Sequence, residues 1–354
     1  MERLLQFDPI LRQAIEGRIR QIDAFRDNWE ITEALSAEVL RTLQQLATVQ
    51  STGSSTRIEG AKLADTEVAE LMRSMQVRKL SSRDEQEVAG YFQTLQLIQE
   101  NHPYIDLSEN TIRGLHKQLL QYSDKDAHHL GNYKTLSNQV VATLPSGKQR
   151  IIFQTTEPAA VNEAMRQLLT WTITAFAEKT QHPLVVVGTF VYELLTIHPF
   201  QDGNGRLSRL LTNLLLLQQG YTFVQYASLE REVERDKARY YESLMQAQRQ
   251  RGTEQEVIGR WMNFFLDMLL RIIDTLREKQ REVNEPAALY LNQRQRTVLE
   301  YIRKQGFTAL KDVETQLPEV SRNTLKYDLK RLHEAGYLTR QGKGRGTVYA
   351  VAIT

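Results

Sequence analysis

With 354 residues, 41% of them hydrophobic and 25% charged, the chain has the composition of a globular protein with two or three units and a large core; fibrous and disordered readings are excluded. It has no Cys, which rules out a disulfide framework, a thiolate zinc site and a Cys nucleophile. The net charge of +2 is unevenly spread: twelve Lys and Arg face six Asp and Glu between Leu291 and Thr354, and the rest is slightly acidic.

The chain starts with "MERLLQFDPILRQAIEGR". Glu2 and Asp8 stand where an export signal needs a basic start and an unbroken apolar core, so a cytoplasmic location is expected. Residues 31–50 place Leu35, Val39, Leu40, Leu43 and Leu46 on one helical stripe, and the cluster "STGSST" reads as a break. Residues 83–100 form a second helix presenting Val88, Phe92, Leu95 and Ile98, and 108–122 a third that begins at "SENT". Two β-branched runs in "TLSNQVVATLPSGKQRIIF", separated by Pro145, Ser146 and Gly147, carry the signature of a hairpin. Helix resumes near Glu157 and continues through 182–197 and 206–219, with a last charged helix from about Glu254 to Arg281. The apolar run "PLVVVGTFVYELLTI" contains Glu193 and is shorter than the roughly 20 residues of a membrane span, so it reads as a core helix.

"VNEPAALY", 283–290, reads as a linker, because its proline stops the long helix. Beyond it come three short helices, then two strands joined by "GKGRG", the outline of a winged helix-turn-helix over 291–354. Its third helix, "SRNTLKYDLKRLHEAG", offers Arg322, Asn323, Lys326, Lys330 and Arg331 to phosphates and base edges, with Lys343 and Arg345 at the wing tip. Such modules also serve protein contacts, so both DNA and protein remain as partners.

The segment "IHPFQDGNGRLSR" interrupts what otherwise reads as buried helix. "DGNG" cannot continue the helix before it, and a new helix starts at once, so the loop amides point to an unsatisfied helix N-terminus, an anion nest. Arg206, Arg209 and Asn213 fall at i, i+3 and i+7 on one stripe starting at that nest. Two guanidiniums there suit several phosphates, Asp202 can hold the Mg²⁺ that a polyphosphate carries, and His198 can accept a proton near neutral pH. A histidine after a helix or a glycine turn has a structural explanation when alone. Packing does not explain all of them within one short segment, and the combination fits nucleotidyl or phosphoryl transfer.

"HPFQDGNGRLSR" resembles the signature of the Fic family, His-x-Phe-x-Asp/Glu-Gly-Asn-Gly-Arg-x-x-Arg, matched by His198, Phe200, Asp202, Gly203, Asn204, Gly205, Arg206 and Arg209. The resemblance runs over roughly residues 30–280. "GNYK" stands where the family often has Gly-x-Tyr-Arg, so Lys134 departs from the commoner Arg. It implies a mainly α fold: a Fic-type helical bundle with a β-hairpin flap and, appended here, a winged helix. The expected division is an N-terminal helical region over 1–100, a catalytic core over 101–282, the linker 283–290 and the winged helix 291–354.

The resemblance also implies transfer of AMP from ATP to a target hydroxyl. His198 would be the general base, Asp202 the Mg²⁺ ligand, and Gly203, Asn204 and Gly205 the α-phosphate cradle. Arg206 and Arg209 would hold the β and γ phosphates. "RYYESLMQAQ" resembles the segment closing over adenine, implicating Tyr240, Tyr241 and Gln248, although an aromatic pair packing a helix reads equally well. Ile151 and Ile152 on the flap would bind targets through main-chain hydrogen bonds. "SSTRIEG" matches the family's inhibitory motif, Ser/Thr-x-x-x-Glu-Gly/Asn: Ser55 would cap a short helix, Gly60 would end it, and Glu59 would pair bidentately with Arg209 and inhibit the enzyme. Expected partners are a protein with a Tyr, Thr or Ser hydroxyl, this chain itself included, with DNA and a second copy in a homodimer as further candidates and no membrane. The competing expectation is a transcriptional regulator whose Fic unit senses ATP.

Overall fold

The computed structural model describes residues 1–29, 37–75, 79–143, 149–253, 255–284, 291–334, 336–342 and 347–352. The chain divides into two units, Met1–Arg277 and Glu278–Thr354. The first contains α1 (Pro9–Trp29), α2 (Ala37–Ile58), α3 (Asp65–Ser74), α4 (Arg83–Asn101), α5 (Glu109–Leu119), the strands β1 (Gln139–Thr143) and β2 (Gln149–Gln154), then α6 (Pro158–Glu178), α7 (Pro183–Ile197), α8 (Asn204–Gln218), α9 (Leu229–Arg235), α10 (Lys237–Gln248) and most of α11 (Gly259–Asn284).

Every residue of α7 from Leu184 to Ile197 is buried, as its all-round apolar sequence requires. It packs between α6 and α8 in a core that runs from Leu4 to Leu276, so the regions 1–100 and 101–282 share one interior. Ser108 caps α5 by accepting from the Thr111 amide, as the "SENT" reading expects.

The "STGSST" cluster does not break the helix. α2 runs through it to Ile58, and Ser51–Thr56 are its buried face, whereas Leu46 is 48% exposed. Small side chains let α2 approach α4 and α9 closely; Thr48 Oγ1 and Thr56 Oγ1 donate to the preceding turn, to Gln44 O at 2.8 Å and Thr52 O at 3.0 Å, and Ser51 bonds Ser228 at 2.9 Å. Ser55 is therefore a mid-helix residue, not a cap. Gly60 does end the helix: at φ 109° it follows Glu59, and the Ala61 amide returns to Thr56 O at 3.1 Å. The last helix of this unit begins at Gly259, later than expected.

β1 and β2 form the expected antiparallel hairpin, with a bulge that leaves Ile152 unpaired between Val140↔Phe153 and Val141↔Ile151. Its turn, 144–148, lies outside the described residues, as do 285–290 of the linker.

The second unit contains α12 (Gln293–Gln305), β3 (Thr308–Ala309), α13 (Leu310–Gln316), α14 (Arg322–Glu334), β4 (Leu338–Gln341) and β5 (Val348–Val351). The sheet order is β3-β5-β4, all antiparallel, over a core including Val298, Ile302, Leu325 and Leu329. The buried Asp328 carboxylate fixes α14 to α12 by accepting from Arg294 at 2.6 Å and Gln295 at 2.8 Å. This is the winged helix read from the sequence.

Gly90 marks the closest helix approach: a Cβ there would stand 2.0 Å from Leu119 O, where α4 meets the end of α5. Backbone cannot yield as a side chain can. Gly90→Ala is expected to lower stability by about 1–3 kcal/mol through overpacking, as a lower midpoint in urea unfolding with unchanged slope.

Candidate active site

α7 ends at His198, in the left-handed region at φ 52°, ψ 62°, and the loop to α8 starts there. His198 Nδ1 lies 3.3 Å from Leu195 O. A carbonyl can only accept, so Nδ1 carries the proton and Nε2 keeps its lone pair. Burial pushes the imidazole pKa down to about 4, with Lys134 adding to the effect, so the ring is neutral at physiological pH.

Phe200 anchors the loop in the core as expected, fully buried and stacked on His116 with ring centroids 3.7 Å apart. His116 was not singled out from the sequence. Its Nδ1 accepts from the Gly131 amide at 3.0 Å, which leaves Nε2 to donate to Asp202 O at 3.0 Å and hold the loop from below. The Asn204 side chain closes the loop on itself, accepting from Phe200 N at 2.9 Å and donating to Phe200 O at 2.8 Å. One N–H of Nδ2 is spent on the loop shape, so Asn204 offers an anion its other side-chain N–H and its backbone amide at the start of α8.

One cleft is lined by Glu59, His198, Asp202, Gly203, Asn204, Gly205, Arg206, Arg209, Tyr240 and Tyr241. Arg206 is almost fully buried, 3.5 Å from Glu87 and 3.4 Å from Asp202, and its Nε and Nη1 make no hydrogen bond. Arg209 donates from Nε to Ser55 Oγ at 2.8 Å, and from Nη2 to Ser55 O at 2.9 Å and Glu59 Oε1 at 2.8 Å. Glu59 thus reaches Arg209, but through one oxygen on Nη2 and not bidentately; Ser55, one turn earlier, shares that nitrogen and takes Nε. The carboxylate also fills the space over the α8 N-terminus: a Cβ on Gly205 would stand 2.2 Å from Glu59 Oε1. Burial opposes its charge, but Arg209, then Arg206 and Lys237, prevail and hold its pKa below the ordinary value.

Asp202 is held ionised, with a pKa near 2: burial would raise it, and Arg206 and Lys125 outweigh that. Lys125 Nζ sits 2.5 Å from its Oδ2. Tyr240 packs into the core against Tyr241 and Trp261, so the packing and cleft-lining readings both apply. Gln248 does not line the cleft; its Nε2 donates to Thr196 Oγ1 at 2.6 Å. The strand bearing Ile151 and Ile152 passes beside α10, the helix that carries the two tyrosines. In the winged helix, Arg322, Asn323, Lys326 and Lys330 lie on the exposed face of α14, with Arg322 donating to Glu314 at 2.9 Å; Lys343 and Arg345 lie outside the described residues.

Residues 106–216 match the Fic/DOC family, and 291–354 match the penicillinase repressor family. A protein named protein adenylyltransferase Fic from Culex quinquefasciatus is 25% identical over 285 residues, 79% of this chain and 51% of its own length. One of the same name from Drosophila melanogaster is 27% identical over 219 residues, 60% of this chain and 41% of its own. The chain therefore spans about half the length of these curated relatives or less. Among solved structures, a Fic family protein from Desulfovibrio desulfuricans G20 superposes with a TM-score of 0.62 at 19% identity, covering 99% of this chain and 98% of that one. Fic-1 (residues 134–508) from C. elegans gives 0.58 at 22%, covering 77% and 75%. The resemblance drawn from the signature is borne out: a Fic-type fold is followed by a winged helix. Among the described residues no helix is long and apolar enough to cross a membrane.

The burial of His198 predicts that its imidazole titrates near pH 4 in an NMR pH series. A midpoint at the ordinary 6.5 would contradict the site as described.

Proposed function

We propose that the chain transfers AMP from ATP to a hydroxyl of a target protein, and that Glu59 restrains the reaction. The observation that carries this reading is the joint placement of a neutral His198 and two arginines around the α8 N-terminus, in one cleft. The names of the relatives support the nucleotide, and the Fic/DOC match over the signature supports the reaction class.

The target oxygen would attack the α-phosphorus while His198 Nε2 takes its proton; the new P–O bond forms as the bond to the β-phosphate bridging oxygen breaks, and pyrophosphate leaves with the electron pair. Loop amides at Asn204 and Gly205, with that of Gly203 once it leaves Asp202 Oδ1, would receive the α-phosphate, and Arg206 and Arg209 the β and γ phosphates. Arg206 is buried and paired with Glu87 and Asp202, so its side chain would have to turn toward the cleft to reach a phosphate. Asp202 suits Mg²⁺, since a fully ionised oxygen ligand beside a triphosphate is what that ion requires, and the ion would neutralise phosphate charge. Tyr240 and Tyr241 would flank the base, and a target segment would pair along the edge of β2 away from β1.

The winged helix would dock the enzyme. The exposed cations of α14, the basic balance of 291–354 and the penicillinase repressor match favour duplex DNA over a protein surface there. Full-length protein is expected to bind duplex DNA with an affinity that falls steeply with salt, and Arg322→Glu with Lys326→Glu to abolish it in a fluorescence-anisotropy titration. Equal binding by the double variant would remove α14 from the interface.

Glu59→Gly protein incubated with ATP and Mg²⁺ in a cell lysate is expected to leave AMP adducts on Tyr, Thr or Ser side chains, detected by mass spectrometry. Adding His198→Ala should reduce them by about 10² or more while ATP affinity, by calorimetry, stays nearly the same. Equal adduct yields with and without His198 would overturn its role.

A further inference from the structure

The Lys134 ammonium is 4% exposed and makes three hydrogen bonds, to Asn138 Oδ1 at 2.8 Å, Thr155 Oγ1 at 2.7 Å and Ile197 O at 3.2 Å. An ammonium has three donors, so the site uses all of them. The acceptors come from three places. Asn138 immediately precedes β1, Thr155 immediately follows β2, and Ile197 ends α7, one residue before His198.

The same point is tied from other directions. The Lys134 amide donates to Pro199 O at 2.8 Å, and Asn138 Nδ2 donates to Phe200 O at 3.0 Å. Thr155 Oγ1 also lies 2.8 Å from Asn138 O, closing the base of the hairpin. The two ends of the hairpin and the backbone before His198 therefore meet at one buried cation, while the backbone after His198 is held by the amide of the same lysine and by Asn138. That cation also completes the C-terminus of α7, where the last carbonyls lack helical partners.

We propose that Lys134 couples the seating of a target on the β1–β2 hairpin to the position of His198, making it a positioning residue for the transfer reaction. The inference rests on the proposed transferase reading. A structural lysine would only stabilise the fold; a coupling lysine links target recognition to the base. It also supplies positive charge beside the His198 ring, whose other charged neighbours are Glu59 and Asp202, and so favours the neutral imidazole that a base requires.

The test uses full-length protein in the Glu59→Gly background, with Lys134→Met and Lys134→Arg compared. Lys134→Met is expected to raise KM for the target and lower kcat about tenfold or more, with the calorimetric affinity for ATP unchanged. In an NMR titration that needs no turnover, its His198 midpoint should rise from about 4 toward the ordinary 6.5. Lys134→Arg, which keeps the cation, should hold the midpoint low. Where Lys134→Met does not fold, Thr155→Val keeps the cation and removes one tie to the hairpin; it should raise target KM and leave the His198 midpoint in place. An unmoved His198 midpoint in Lys134→Met, or an unmoved target KM in Thr155→Val, overturns the coupling. Absence of transfer in the Glu59→Gly parent would overturn the transferase reading instead, with the NMR arm still deciding whether Lys134 acts on His198.

Discussion

The site is organised around the Arg209 guanidinium, held by Ser55 and Glu59 at the end of α2. Arg209 is buried and the Glu59 side chain is 32% exposed, so the pair has neither the weak attraction of a surface bridge, about 0–1 kcal/mol, nor the sealed environment of a core pair. Two further hydrogen bonds, donated by Arg209 to Ser55, fix the guanidinium before Glu59 is counted. The geometry therefore separates two roles: Ser55 orients the arginine, and Glu59 occupies the position over the α8 N-terminus that an anionic group would take.

The end of α2 is itself held in place. Arg57 donates to Glu234 at 2.7 and 3.0 Å and to Leu63 O at 2.9 Å, and Lys237 donates to Ile58 O at 2.6 Å. These partners belong to α9, to the turn between α2 and α3, and to the first residue of α10, whose later residues Tyr240 and Tyr241 line the cleft. Below them, the buried Glu230 carboxylate accepts from Tyr91, Asn213 and Ser228, joining α4, α8 and α9. Withdrawing Glu59 by moving the helix would thus disturb several satisfied buried groups, whereas rotating its side chain disturbs one ion pair. Rotation of the Glu59 side chain is therefore a less disruptive way to free Arg209 than unwinding α2.

Much of this was legible in the sequence. An all-round apolar helix interrupted by a loop of His, Asp, Gly and Arg located the cleft, and the Ser-x-x-x-Glu spacing puts Ser55 and Glu59 on one helical face. What escaped has physical causes. The end of α2 is buried through hydroxyls and glycine, which carry no apolar periodicity, so the segment read as a break. The bidentate pairing is not formed: Glu59 meets Nη2 alone, which it shares with Ser55 O. His116 and Lys125 support the loop from positions far along the chain, and nothing local in the sequence distinguishes such residues from ordinary polar surface; Lys134 stood out in "GNYK", but its contacts did not. Gln248 follows the two tyrosines on α10 but is drawn away by Thr196.

The central claim is that Glu59 restrains transfer by occupying Arg209. The most direct measurement is the initial rate of AMP transfer at saturating ATP for wild type, Glu59→Gly and Glu59→Gly with Arg209→Ala. The account predicts a rate at least about tenfold higher for Glu59→Gly, a change of roughly 1.4 kcal/mol or more in the barrier, with most of the gain lost in the double variant. A Glu59→Gly rate no higher than wild type, or a double variant as fast as the single one, would contradict it.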